Sequence, residues 1–401
     1  VASPFPVVAD GAAPYTGPYR RVPFEPVLAP GVRPSGNNGP VLNNFVLGVV
    51  GHSHALEGMQ LSLGGNIVDH YMVGAQVATG FNLTNGPARG FQSASGANIA
   101  RSTFQGVQIA GGVNISLDAM KGLQAAPLNM SGKSFRGGQI GVANWSGDFE
   151  GVKLGVANFS RGDFRGVDAS VVGFTTGQHR GPQLGVVNGA GTMRGPQVGV
   201  VNLTHLAEGL QLGVLNVSGK TRGLQLGVLN IADSVDGASI GLINIIGDGY
   251  HPVTVWGGDI LPLNVGVKLG SRHVYTLLGF GVKEGKEVEG KKKALYGASA
   301  GLGVHAPLDQ RFFLDVDVVG TQFMQEGDWD QDDQAMGSFR LSLGFQLFKH
   351  LAITAGPTYN VYVRKNDGVD HSPGWGFLEA THKGSTWSVR RFPGLQFGLQ
   401  I

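Results

Sequence analysis

Gly209-Leu210-Gln211-Leu212-Gly213-Val214-Leu215-Asn216 and Gly223-Leu224-Gln225-Leu226-Gly227-Val228-Leu229-Asn230 are successive copies of one phrase, and their reading decides the fold. With the first glycine as origin, thirteen copies begin at Gly58, Gly74, Gly90, Gly106, Gly122, Gly137, Gly151, Gly166, Gly181, Gly195, Gly209, Gly223 and Gly237, at a spacing that tightens from 16 to 14 residues. A short, nearly constant period of this kind is written by stacked coils or by arrayed strands.

The columns of the repeat constrain its shape. Gln stands two residues after the glycine in ten of the thirteen copies, among them Gln108, Gln139, Gln183, Gln197, Gln211 and Gln225; Lys153, Asp168 and Ser239 are the exceptions. Asn closes twelve copies, including Asn114, Asn129, Asn144, Asn158, Asn188, Asn202, Asn216, Asn230 and Asn244, and only Gly173 breaks the series. An aromatic residue or Met often precedes the glycine by two, as in Phe104, Met120, Phe135, Phe149 and Phe164. Apolar residues fill positions one and three (Leu210, Leu212) and then five and six (Val214, Leu215). A strand keeps strict alternation, so the change of parity marks a corner, which the small residue at position four permits.

Two architectures accommodate this pattern. In a parallel β-solenoid of about thirteen short coils, like residues stack on like, and the Gln and Asn columns become hydrogen-bonded ladders. In the alternative, each copy is one strand of a single large antiparallel β-barrel of about 22 strands. Antiparallel neighbours would make odd and even copies differ, which they do not, so the solenoid is expected.

Composition agrees with an all-β chain. Of 401 residues, 67 are Gly and only 14% are charged, against a usual charged share of about 25%. The net charge of +2, with scattered basic residues, makes no case for nucleic acid. The absence of Cys removes disulfides, thiolate catalysis and Cys-based metal sites. The chain opens Val1-Ala2-Ser3-Pro4 without a basic, apolar leader, which reads as a processed export or a chain never exported. No run of eighteen apolar residues offers a transmembrane helix.

Three regions follow. Residues 1–41 hold nine of the nineteen prolines and read as an extended arm. Residues 42–250 carry the repeats. In residues 251–401 the period gives way to apolar and polar alternation, as in Phe339-Arg340-Leu341-Ser342-Leu343 and Leu395-Gln396-Phe397-Gly398-Leu399-Gln400-Ile401. Eight strands are expected there, at 251–257, 263–269, 273–282, 294–304, 311–321, 339–347, 350–363 and 395–401. Short turns near 270–272, 305–310 and 348–350 alternate with long polar loops at 283–293, 323–337 and 364–392. This is the layout of an outer-membrane β-barrel. Lys268, Asp315, Asp317 and Arg340 lie opposite apolar rows and are expected to pair inside it.

The G-x-Q-x-G-x-x-N phrases resemble the surface-repeat proteins of bacterial envelopes, over about 190 residues. The terminal alternation through Phe397, Leu399 and Ile401 resembles the C-terminal signature of outer-membrane barrels. The resemblance implies export to the bacterial outer membrane and brings no catalytic residues with it. The expected protein is therefore no enzyme: a repeat rod, anchored by a small antiparallel barrel in outer-membrane lipid, presents a surface to other envelope proteins. A channel or transporter built from the repeats and a surface adhesin are the alternatives. No cofactor is expected.

Candidate chemistry is sparse. His52 and His54 offer two imidazoles without a third ligand, so no metal is expected. Asp328-Trp329-Asp330-Gln331-Asp332-Asp333 approaches a calcium loop but lacks its central Gly and closing Glu. Lys291-Lys292-Lys293 reads as a hydrated loop tip. Asn82-Leu83-Thr84, Asn144-Trp145-Ser146 and Asn216-Val217-Ser218 match a glycosylation acceptor, a coincidence of the Asn column with the small polar residues after it.

Overall fold

A computed structural model describes residues 17–30, 32, 34, 39–284, 287–288, 291–326, 334–366, 380–384 and 386–401, and these form strands and turns with no helix. The acidic stretch Asp328–Asp333 lies outside the described residues. The fold is a parallel β-solenoid of about 11 turns plus a separate antiparallel sheet of nine strands. The chain divides into two compact units, Val1–Glu208 and Gly209–Ile401.

In the first unit, neighbouring copies pair in parallel and in register. Phe135, Gly137 and Gln139 face Phe149, Gly151 and Lys153, while Ala143, Asn144 and Trp145 face Ala157, Asn158 and Phe159. Parallel pairing overturns the alternative of one antiparallel barrel of about 22 strands, whose neighbours would run in opposite directions. The glycine column explains why the coils stack so closely. All thirteen origin glycines have φ between 124° and 145°, a region that side chains rarely enter. At Gly151 a Cβ would also lie 1.9 Å from the carbonyl oxygen of Gly137 in the coil before.

The small fourth position is set by the Asn column. A Cβ on Gly155 would meet Asn144 Nδ2 at 2.6 Å and Asn158 Oδ1 at 2.7 Å. Changes of period are absorbed in the corners: Gln108 pairs with Gln124, sixteen residues on, whereas Asn114 pairs with Asn129, fifteen on. The columns thus hold register while corner residues come and go.

Part of the proline-rich arm belongs to this sheet. Arg20–Val27 pairs in parallel with the start of Val41–Ala78, from Arg20 opposite Val41 to Val27 opposite Gly48, with Pro23 skipped. Arg20–Val27 of the arm is thus extended and lies along the repeats; proline is tolerated in a strand where its nitrogen need not donate. Glu25 is buried in this strand and accepts a bond from Asn43 Nδ2 at 2.7 Å.

The main apolar cluster of the coils in the first unit is a spine. Leu56, Met72, Phe104, Met120, Phe135, Phe149 and Phe164, all two residues before an origin glycine, are buried on one another. Their rings stack nearly parallel, with centroids 5.1 Å apart for Phe135 and Phe149 and 5.0 Å for Phe149 and Phe164.

The second unit begins with the copies at Gly209, Gly223 and Gly237 and continues into the antiparallel sheet. Its main strands are Val253–Gly257, Leu263–Gly270, Val274–Lys283, Leu295–Pro307, Phe312–Gln325, Gln334–Phe348, Leu351–Lys365 and Trp387–Gln400, with a short ninth, Ala380–Lys383, beside the last. Each pairs with the next, and the first also pairs with Trp387–Gln400, Thr254 opposite Gln400 and Val255 opposite Leu399. The last strand starts eight residues before the expected 395. Ser388 and Phe392 are buried while Arg390 and Arg391 bring charge to the alternation, which masks it in sequence.

Side chains on this sheet are distributed inside out. Along one strand Phe339 is 49% exposed, Arg340 6%, Leu341 37%, Ser342 4% and Leu343 51%. Lys268, Asp315, Asp317, Asn360 and Gln396 share the buried face, and Val265, Val318, Phe397 and Leu399 the exposed one.

The final coil docks beside the turn between Leu263–Gly270 and Val274–Lys283. Asn244 Nδ2 donates to Thr276 Oγ1 at 3.0 Å and to the Leu269 carbonyl at 3.3 Å, and Ser271 Oγ donates to the Gly237 carbonyl at 3.3 Å. Tyr250 and Gly270 exchange backbone bonds, and Arg272 pairs with Asp248 at 2.9 Å.

Candidate functional site

Polar side chains, not apolar ones, fill most of each coil. The Gln column forms a ladder in which each amide donates to the preceding coil: Gln108 Nε2 to Gln92 Oε1 (2.7 Å), Gln139 to Gln124 (2.9 Å), Gln197 to Gln183 (2.9 Å) and Gln225 to Gln211 (2.8 Å). The Asn column donates the other way, to the following coil: Asn114 Nδ2 to Asn129 Oδ1 (3.0 Å), Asn129 to Asn144 (2.9 Å), Asn144 to Asn158 (2.8 Å), Asn188 to Asn202 (2.9 Å), Asn216 to Asn230 (2.8 Å) and Asn230 to Asn244 (2.8 Å). The second amide hydrogen of an Asn reaches a backbone carbonyl, as from Asn129 to Ile140 at 2.8 Å. Two ladders of opposed direction satisfy a core that would otherwise be costly to bury. Asn82, Asn144 and Asn216 are members, at most 2% exposed, so the glycosylation matches are closed off in the folded chain.

Both ladders break together at one place, and the Gln column again at Ser239 in the last copy. Lys153 and Asp168 stand in the Gln column, Gly173 in the Asn column, and His179 in the aromatic spine. Lys153 Nζ donates to Ser146 Oγ (2.8 Å), Ser160 Oγ (2.7 Å) and the Phe159 carbonyl (3.0 Å), and lies 4.5 Å from the Phe149 ring centroid. Asp168 Oδ1 accepts from Asn158 Nδ2 at 2.5 Å and Ser170 Oγ at 3.2 Å. Gly173 leaves that carboxylate its room, for a Cβ there would sit 3.1 Å from Asp168 Oδ2. The carboxylate thus takes the bond that the missing Asn would have accepted.

Burial pulls the Lys153 amine well below its ordinary range, against the attraction of Asp168, and pushes the Asp168 carboxyl up. His179 stacks on Phe164 with centroids 4.3 Å apart, and burial with the nearby Lys153 lowers its imidazole to about 4. A lysine with a depressed pKa is a nucleophile or base where substrate reaches it. Here Lys153 and His179 are fully enclosed and bonded within the coils, and the geometry supports a packing role. The sequence shows Lys153, Asp168 and Gly173 as separate exceptions. That they fall in consecutive copies is the signal that would have joined them.

The expected interior charges of the sheet come together as two linked pairs. Lys268 Nζ meets Asp315 Oδ2 at 2.5 Å, and Asp315 also binds His305 Nδ1 at 2.7 Å and Gln400 Nε2 at 3.0 Å. Arg340 Nη2 meets Asp317 Oδ2 at 3.0 Å, and the Tyr275 hydroxyl donates to the same carboxylate. Sequence reading missed Asp259, in the Gly257–Pro262 connection. Its carboxylate accepts from Thr358 Oγ1 and Asn360 Nδ2, both at 3.1 Å, and from the Leu395 N–H at 3.3 Å. Ile260 and Leu261 follow it into the interior, against Leu295, Phe323, Tyr362 and Phe392. The adjoining cavity, lined by Asp259, Asn264, Ser299 and Arg340, has about 40 Å³, room for little more than water.

His52 and His54 do not converge on one point. His52 Nε2 bonds Asp69 Oδ2 at 2.7 Å and His54 Nδ1 accepts the Val41 N–H at 3.2 Å. Among the described residues no group of three or more His, Asp or Glu is placed to hold a metal ion. No family model, curated protein or solved structure matches the chain.

Proposed function

We propose that the chain is an integral outer-membrane protein. The antiparallel sheet closes as an eight-stranded barrel, and that barrel anchors a repeat domain which presents a regular surface at the envelope. The observation that carries this reading is the inside-out sheet, with an apolar face outward and paired charges inward. Water would disfavour so extensive an apolar face, whereas lipid requires it. The pairing of the first strand with the last supports closure, since a bilayer tolerates no free sheet edge. A side-chain-filled interior suits an anchor better than a solute path.

The contacts of the last coil add a direction. Asn244, Gly237 and Asp248 meet the sheet at the short turn 271–273, the end where the connections 308–311 and 349–350 also lie. In outer-membrane barrels short turns face the periplasm. The repeats are therefore read as periplasmic, which favours envelope partners over adhesion.

Because the chain has no Cys, single cysteines report sidedness directly. A membrane-impermeant maleimide on intact cells should label Lys293→Cys, and should label Lys349→Cys and Asp233→Cys only after the outer membrane is opened. Labelling of Asp233→Cys on intact cells would place the repeats outside and turn the reading to an adhesin.

A further inference from the structure

Once the ladders are built, the repeats carry a feature they do not need for folding. From Val142 onward, one corner of every coil presents an aliphatic residue to the outside: Val142 is 57% exposed, Val156 51%, Val171 47% and Val200 47%. Beside it on the strand stand Ile140, Leu154 and Leu184, exposed as well. Of the five earlier coils, three turn the same corner with Thr79-Gly80, Ser95-Gly96 and Gly111-Gly112, while the other two use Leu63-Gly64 and Pro127-Leu128. The fold thus accepts small or polar residues there, and the aliphatic row serves something outside the coil.

The rows that flank this edge grade from charge to hydrocarbon. One residue before each origin glycine, the eight positions from Arg136 to Asp236 hold five basic and three acidic residues, with Arg136 paired to Glu150 and Arg194 to Glu208. On the other strand, three residues past the corner valines Val142 and Val171, Trp145 and Phe174 are exposed, and Trp145 stacks on Phe159 with centroids 4.1 Å apart. Basic and aromatic rows bordering an aliphatic band are the arrangement of protein surfaces at a membrane interface. The band from Val152 to Val156 spans roughly 13 Å at about 3.3 Å per residue, close to one leaflet of a hydrocarbon core about 30 Å thick.

Backbone chemistry permits immersion. At the corner itself the Val156 N–H donates to the Val142 carbonyl at 2.9 Å, Val186 to Val171 at 3.0 Å and Val200 to Val186 at 2.9 Å. Hydrocarbon requires such internal satisfaction. A protein partner fits less well, because a row repeating one residue type every coil offers no feature to fix register, whereas specific interfaces rely on distinctive aromatic and Arg anchors. In the second unit the equivalent positions Val214, Val228 and Leu242 are exposed as well, on coils of which the last is bonded to the sheet whose exposed face is read as lipid-facing.

We infer that the aliphatic edge of the repeats from Gly137 onward is embedded in a phospholipid leaflet, with its basic row at the headgroups. The inference rests on the membrane-anchor reading for its membrane, and its test separates the two. Full-length protein carrying one nitroxide at Val156→Cys, Val171→Cys, Arg161→Cys or Phe339→Cys is reconstituted in vesicles of phosphatidylethanolamine and phosphatidylglycerol. Collision with oxygen and with a water-soluble nickel chelate is then compared. Oxygen should dominate at 156, 171 and 339, and nickel at 161 on the polar edge. Nickel dominance at 156 and 171 with oxygen dominance at 339 overturns this inference and leaves the anchor standing. Nickel dominance at all four sites overturns both. Shielding of 156 and 171 from both reagents, with spin–spin broadening, means that a second copy covers the edge and also overturns it.

Discussion

Lys153 and Asp168 are in-register partners on neighbouring coils, so the one cation and the one anion in the Gln column stand a single coil apart inside a core built from neutral amides. Each is held by its own bonds, Lys153 by Ser146 and Ser160 and Asp168 by Asn158 and Ser170. Removing one charge strands the other, and breaking a buried pair in this way costs about 3–5 kcal/mol. Lys153→Gln alone and Asp168→Gln alone should therefore each lower the unfolding free energy by that order. The double variant should recover most of the loss, since it rebuilds the amide column. A denaturant-unfolding cycle on the four proteins checks this, and additive losses would mean that the two charges do not act as a pair.

His179 gives the repeats an acid-sensitive point. Its folded pKa, about 4, lies below the ordinary histidine value of 6.5, so between these limits the unfolded chain binds more protons. The stability due to neutral His179 is complete above pH 6.5 and is lost as pH falls toward 4. Asp168, with its carboxyl pushed up, works in the opposite direction as pH falls, so the comparison must be made between variants. His179→Phe extends the stack of Phe149 and Phe164 and removes the titration. Melting temperature plotted against pH should slope less for His179→Phe than for the parent between pH 6.5 and 4, and equal slopes would rule His179 out.

Most of this architecture is legible in the sequence because a repeat displays its columns. Gln108 and Asn114 announce ladders by recurring, and the change of parity at Val214-Leu215 announces the corner. The alternation of Phe339 to Leu343 likewise fixes which residues share a face, and so brings Asp315 and Asp317 to Lys268 and Arg340. What alternation leaves open is which face points inward, since that depends on the surroundings of the whole sheet. Single exceptions are harder still. Asp259 lies in a connection with no period, and its turn inward becomes visible only when Thr358, Asn360 and Leu395 are placed around it.

The glycine column should tolerate nothing larger. Gly151 combines φ of 140° with a virtual Cβ 1.9 Å from the Gly137 carbonyl, so Gly151→Ala adds backbone strain of about 1–3 kcal/mol to a collision between coils. Gly337, beside whose virtual Cβ nothing lies within 4 Å, serves as the control. Thermal unfolding followed by circular dichroism should show a large loss for Gly151→Ala and a small change for Gly337→Ala. Equal effects would remove the close approach of the coils as the reason for this column.

Asp315 ties distant parts of the sheet together: Lys268 from the second strand, His305 from the fourth and Gln400 from the last all bond its carboxylate. Gln400 also accepts the Tyr250 hydroxyl at 2.5 Å, so the network reaches the segment that joins the repeats to the first strand. Asp315→Asn keeps the shape but leaves the Lys268 ammonium buried without its counter-charge, a loss of about 3–5 kcal/mol. Lys268→Met combined with Asp315→Leu removes both charges and should be far milder, because no ion then needs solvation. Gel mobility of unheated protein in dodecyl sulfate, followed against temperature, reads the folded fraction of the sheet. The single variant should lose its compact band at a clearly lower temperature than either the parent or the double variant. If single and double variants melt together, the pair contributes packing alone and its charges are incidental to the stability of the sheet.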